Sequence, residues 1–222
     1  MSEWVQRAIQ FTQSLSRLGS EPIVSAEADE PLTKEQLAEL QTSIEYKIPD
    51  SLAAFLLNES GSCRCKYSLT FRRRPTDGLV ALVGEEMASQ FSYSSFYGGA
   101  NLCHSERLMG WNSEGVRSVF DDIDPECAEL WRNSFVFMSM NCGDSLGLYT
   151  ANDDIDPPVV YLSHEGTVRR PIAPTLTHFL REWETLCYIG PEHEIFETFI
   201  DSETGYLDAK VGDLAHLKTH FV

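Results

Sequence analysis

The residues best suited by type to do chemistry are Cys142 and His164. A thiol and an imidazole within reach of each other make a nucleophile and its base, and both stand at the ends of apolar runs, where strand ends carry reactive groups. Nothing else marks them as a pair. The chain has no Gly-rich phosphate cradle, no nucleophile elbow and no paired metal motif. Cys63-x-Cys65 lacks the spacing of a zinc knuckle, and Cys103-His104 cannot easily turn both side chains to one ion. A calcium loop counted from Asn152 would need glycine where Pro157 stands and glutamate where Ser163 stands. A Cys142/His164 hydrolase is therefore the weaker alternative, and the expectation is no enzyme, no metal and no cofactor.

Contact chemistry is better represented. Asp121, Asp122, Asp124, Glu126 and Glu129 form one acidic group, and Asp153, Asp154 and Asp156 form another. If the fold brings them to one rim, they make an electrostatic docking patch. Tyr93, Phe96 and Tyr97 stand in a serine-dotted aromatic run, Phe91-Ser92-Tyr93-Ser94-Ser95-Phe96-Tyr97, the composition of many binding surfaces. The whole chain agrees in sign: 34 acidic against 17 basic residues in 222 give a formal net charge of −17. Such a surface repels phosphate backbones and anionic lipid, which argues against nucleic acid and membrane and for a basic protein partner.

These residues need elements to hold them. Residues 133–163 read as a three-stranded meander. Phe135 to Met138 with Met140 form a run suited to a strand covered on both faces. Asn141-Cys142-Gly143-Asp144 supplies a turn, and 145–149 and 159–162 supply two more strands. Trp4, Ala8, Ile9, Phe11, Leu15 and Leu18 recur near helical spacing over residues 3–18. Residues 20–31 are acidic and twice punctuated by proline, so they read as a linker. Thr33 and Gln36 match a capping box with Leu32 and Leu37 as its staple, so a helix should start at Lys34. A second helix follows with Pro49 in its first turn. Strands are expected around Tyr67, Leu69 and Phe71 and at 79–83, after a turn at Thr76-Asp77-Gly78. Gly98-Gly99 and residues 112–115 read as turns, Trp111 as a core aromatic, and 126–131 as a short helix begun by Asp124-Pro125. The last helix is capped by Thr175 and buries Leu176, Phe179, Leu180, Trp183, Leu186 and Cys187. Beyond it, one strand at 195–200, a turn at Glu203-Thr204-Gly205 and an amphipathic end at 214–221 are expected.

The order of these pieces resembles the SUKH superfamily, which includes fungal cell-wall-assembly regulators of the SMI/KNR type and many bacterial immunity proteins. The matching positions are Pro49, Leu52, Phe55 and Leu56 after Ile48, then Gly143 and Asp144, then Phe179, Leu180 and Trp183. The chain departs from the pattern at Glu59-Ser60-Gly61, where Asn-Gly is usual, and at Asn141-Cys142, where a second glycine is common. The resemblance implies an α+β fold with an antiparallel-rich mixed sheet flanked by helices. It also implies action by binding: an immunity protein that neutralises a cognate toxin domain, basic given this charge, or a regulatory scaffold as in the fungal proteins. The expected organisation is an N-terminal helix and linker (1–31), a SUKH-like domain (32–190) and a C-terminal extension (191–222). No secretory signal or bilayer-length apolar run is visible, and six scattered cysteines do not form a disulfide framework, so a cytoplasmic protein is expected.

Overall fold

Strand β4 (Ser134–Ser139) is the centre of the fold because both of its faces are covered. In the computed structural model, which describes residues 3–17, 23–70, 95–118, 124–140, 143–152, 154–164, 171–189 and 196–211, its first five residues are buried. Phe135 and Phe137 enter the main core while Val136 enters a second, smaller one. Val136 pairs with Gly147 and Met138 with Leu146, so Phe137 is the extra residue of a bulge. The bulge turns Met138 to the same side as Phe137.

Around β4 the described strands form one antiparallel sheet in sequence order. The others are β1 (Ile23–Ala28), β2 (Cys63–Thr70), β3 (Ser95–Leu102), β5 (Ser145–Tyr149), β6 (Val159–Leu162) and β7 (Pro171–Ala173). Its main face is covered by α1 (Glu3–Ser14), α2 (Lys34–Ser43), α3 (Asp50–Asn58) and α7 (Leu176–Thr185). The connection between β3 and β4 carries α4 (Ser105–Trp111), α5 (Glu114–Arg117) and α6 (Pro125–Arg132). Helix α6 lays Cys127, Ala128 and Trp131 on Val136, Val160 and Leu162 across the second face. The α+β class expected from sequence holds, with every described pairing antiparallel.

Local chemistry explains the helix starts. Thr33 Oγ1 accepts from Gln36 N–H at 3.2 Å and Gln36 Oε1 accepts from Thr33 N–H at 2.8 Å, which closes the capping box. Pro49 is the N-cap of α3 rather than part of its first turn. Asp124 caps α6 and Thr175 caps α7. In α7, Phe179, Leu180 and Trp183 are buried, as are Leu52, Phe55 and Leu56 in α3.

Three expectations are corrected and one is narrowed. Residues 20–31, read as a linker, contain β1, which pairs with β2 from Ile23↔Ser68 to Ala28↔Cys63. Its ladder is supplied by a distant strand, and the flanking prolines hide the pattern. Gly98 and Gly99 lie inside β3 rather than in a turn. A Cβ on Gly98 would stand 2.4 Å from Tyr67 Oη and 2.6 Å from Tyr188 O, and Gly99 has φ +77°. The glycines admit the chain after α7, which bonds through Gly99 N–H to Tyr188 O at 2.7 Å. The turn expected over residues 112–115 is confined to Asn112 and Ser113, which link α4 to α5, while Glu114 and Gly115 already belong to α5. The segment 196–200 is not a strand, since Phe199 N–H bonds Phe196 O and Ile200 N–H bonds Glu197 O in successive turns. Phe196 and Phe199 still enter the main core. The turn at Glu203 to Gly205 forms, with Asp201 Oδ1 accepting from the amides of Glu203 and Thr204. Phe71, residues 76–83 and residues 214–221 lie outside the described residues.

Asn112 shows how β4 is kept paired after β3 leaves it. Val136 N–H donates to Asn112 Oδ1 at 2.8 Å, and Asn112 Nδ2 donates to Val136 O at 2.9 Å. The side-chain amide thus takes the place of a strand residue. Asn112→Ala is expected to cost about 3 kcal/mol, because it leaves two buried backbone groups unpaired. Urea denaturation measures this, and the exposed Asn58→Ala serves as the control, with a loss below about 0.5 kcal/mol.

Candidate functional site

The turn between β4 and β5 gathers the one buried carboxylate cluster that the sequence motif marks. Gly143 has φ +100°, and a Cβ there would stand 3.4 Å from the His164 ring. Asp144, 9% exposed, accepts from Tyr161 Oη at 2.5 Å through Oδ2. Through Oδ1 it accepts from the His164 amide at 2.8 Å and lies 2.6 Å from His164 Nδ1. Its backbone carbonyl accepts from Met140 N–H at 3.0 Å, closing the turn. Burial alone would push the Asp144 carboxyl up, but hydrogen bonds from the Tyr161 hydroxyl, the His164 amide and the His164 ring outweigh it, so its pKa is lowered.

A carboxylate that orients an imidazole is also part of hydrolytic triads. Cys142, the nucleophile of the weaker hydrolase alternative, lies outside the described residues. Among the described residues, Asp144 serves the fold: it ties the β4–β5 turn to the end of β6.

The candidate contact residues are placed as follows. Asp121, Asp122, Asp153 and Tyr93 lie outside the described residues, and Phe96 and Tyr97 fall in β3, where the backbone alone is described. Asp124 is occupied locally, its Oδ1 accepting from the amides of Glu126 and Cys127 at 2.9 and 3.0 Å. Glu126, Glu129, Asp154 and Asp156 are exposed. Asp154 and Asp156 precede Val159, whereas the helix that Asp124 caps bonds the carbonyl of Ser163 through Cys127 Sγ and Trp131 Nε1. Trp111 is half-buried and packs against both cores.

Sequence reasoning missed a groove. It lies between α1, α3 and α7, has a volume of about 390 Å³, and is floored by Trp4, Phe55, Leu176 and Leu180. Arg7, Glu59, Arg181 and Glu184 stand around it. Its elements are separated by long stretches of chain, so no local pattern could bring them together. The Glu59-Ser60-Gly61 departure was the one visible signal at this place.

Among the described residues, no helix is long and apolar enough to cross a membrane. Nor is any group of three or more His, Cys, Asp or Glu side chains placed to hold a metal ion. The fold and site thus define a sheet-and-helix domain whose motif acid is spent on a turn. This chain belongs to the SMI1 / KNR4 family (SUKH-1), whose family model matches residues 31–182. Comparisons with curated proteins and with solved structures found no match.

Asp144→Ala is expected to cost about 3 kcal/mol, since it strands the buried Tyr161 hydroxyl and the His164 amide. The pH dependence follows from the lowered pKa. The stabilising contribution is full above the ordinary carboxylate range and is lost as pH falls through the folded-state value. The stability gap between the wild type and Asp144→Asn, measured by urea denaturation, should therefore be widest near neutral pH and narrow below about pH 4. A gap that widens on acidification would contradict this role.

Proposed function

We propose that the chain is a protein-binding domain with no reaction of its own, and that it acts in the cytoplasm as an immunity protein occupying a cognate toxin domain of basic character, such as a nuclease. Family membership supports a binding role. The observation that carries the choice of partner is the formal net charge of −17. A basic body approaching this surface is drawn in before contact, which raises the association rate more than the final affinity. Glu126, Glu129, Asp154 and Asp156, all exposed, are available for that encounter. Asp121, Asp122 and Asp153 extend the same proposal, and Tyr93, Phe96 and Tyr97 are its aromatic anchors. A regulatory scaffold of the fungal type has the same family warrant, and a toxin gene beside this one would separate the two.

Affinity purification from the native host with mass spectrometry should return a basic partner. Its association rate should fall by about tenfold or more from low to physiological salt, as screening shortens the reach of surface charge. An Asp154→Lys/Asp156→Lys double variant should slow association and leave dissociation nearly unchanged. An acidic partner, or a rate indifferent to salt, would remove the electrostatic part of this reading.

A further inference from the structure

The groove between α1, α3 and α7 combines an aromatic floor with an uncompensated carboxylate oxygen. Its two cations are already engaged. Arg7 is bound by Glu184 through both Nε and Nη2 and lies 3.6 Å from Glu3. Arg181 donates to Glu182 Oε1 at 3.0 Å, and its Nη2 lies 3.0 Å from His178 Nδ1. Glu59 is different. Its Oε2 is shut off from solvent and has no hydrogen-bond partner among the described residues, and Ser51 Oγ in the same groove shares that condition.

Position makes this carboxylate still less comfortable. Glu59 is the C-cap of α3, where the helix carries its partial negative charge and favours a cation. Burial pushes its pKa up, and Arg7 offsets only part of that. The last torsion of a glutamate is soft, so either oxygen can be turned to the groove.

An occupant must therefore bring apolar surface for Trp4, Phe55 and Leu180 and a positively charged donor for Glu59. A purely aliphatic anchor would bury the acceptor further without a partner, at a cost in free energy. An anionic anchor would be repelled. A basic side chain on a carbon stem meets both demands. Arginine suits it better than lysine, because a guanidinium is less strongly hydrated and stacks on aromatic rings. The volume of about 390 Å³ lies within the range of small ligand sites.

We propose that this groove is the anchor site of the binding surface and takes an arginine or lysine side chain of the partner protein, with Glu59 as its acceptor; the inference rests on the protein-binding reading above. The test is an NMR titration of the full chain with N-acetyl-arginine methylamide, and with N-acetyl-norleucine methylamide as the uncharged comparison. The arginine probe should shift the Trp4 indole and Glu59 amide signals saturably. The norleucine probe should bind at least fivefold more weakly, and Glu59→Gln should weaken the arginine probe about tenfold and abolish the discrimination. No saturable shift, equal binding of both probes by the wild type, or an unchanged affinity in Glu59→Gln would overturn the inference.

Thermal melts check the variant's fold. The raised pKa penalises only the ionised form, so Glu59→Gln should be more stable than the wild type at neutral pH, with the gain shrinking on acidification. The two readings fail separately. A partner captured equally by wild type and Glu59→Gln would sink the groove assignment and leave protein binding standing. Probe binding at Glu59 with no partner from the host would sink the protein-binding reading and leave the groove's chemistry.

Discussion

Trp4 is the constraint on which the arrangement of helices depends. Its indole donates to Leu180 O at 3.2 Å, so α1 is tied to α7 across 176 residues of sequence. Its ring meets Phe55 of α3 edge-on at 6.0 Å and Tyr188 at 5.9 Å. Tyr188 in turn packs against Trp183 at 5.3 Å and Phe11 at 5.5 Å. Each such pair adds about 0.5–1.5 kcal/mol beyond burial. More important here is geometry, since rings held on several sides cannot slide. Two members of the network that sets α1, α3 and α7 in place, Trp4 and Phe55, also line the groove.

A second tie acts on the sheet. After α7 the backbone takes positive φ at Cys187 and Tyr188, and this hook lands on β2 and β3. Tyr67 Oη donates to Cys187 O at 2.9 Å, Trp183 Nε1 donates to Ile189 O at 2.9 Å, and Ile189 bridges Gly98. Glycine is required where a backbone crosses a strand this closely. Residues far apart in sequence thus close the main core at both its helical and its sheet side. The Asp144 cluster does the same for the turn beyond β4. Its two carboxylate oxygens accept from the Tyr161 hydroxyl in β6 and the His164 amide just beyond it, which fastens the turn to that strand.

Much of this was legible locally. The capping box at Thr33, the doubly buried run of β4, the Asp124 cap and the apolar stripe of α7 depend on neighbours within a few residues, and they stand where spacing placed them. The order of those pieces carried the family resemblance, and the family match agrees with it. Misreadings arose where the deciding partner is remote. Ser20 to Pro31 looked like a linker because the ladder that makes β1 comes from β2. Gly98-Gly99 looked like a turn because the backbone it admits is some ninety residues downstream. Asn112 does lie in a turn, but nothing near it in sequence shows that its amide completes a strand. Glu59 looked like a mere departure from pattern, since neither Trp4 nor Leu180 is near it in sequence.

Charge acts at two ranges in this molecule, and they do different work. Exposed carboxylates such as Asp154 and Asp156 add to a field that decays over about 8 Å at physiological salt. Individually such charges are worth little, and on the proposed reading they set how often a basic body arrives rather than how long it stays. A carboxylate held in an apolar groove is screened far less, and its unmet acceptor is a standing cost until a donor enters. Retention therefore belongs to sites of that second kind. A protein with net charge −17 attracts many basic bodies alike. Discrimination among them has to come from a place where the wrong side chain leaves something buried and unpaired. On the proposal above, the groove beside Trp4 is such a place: Glu59 Oε2 has no hydrogen-bond partner among the described residues, and the two arginines there are paired with Glu184 and Glu182.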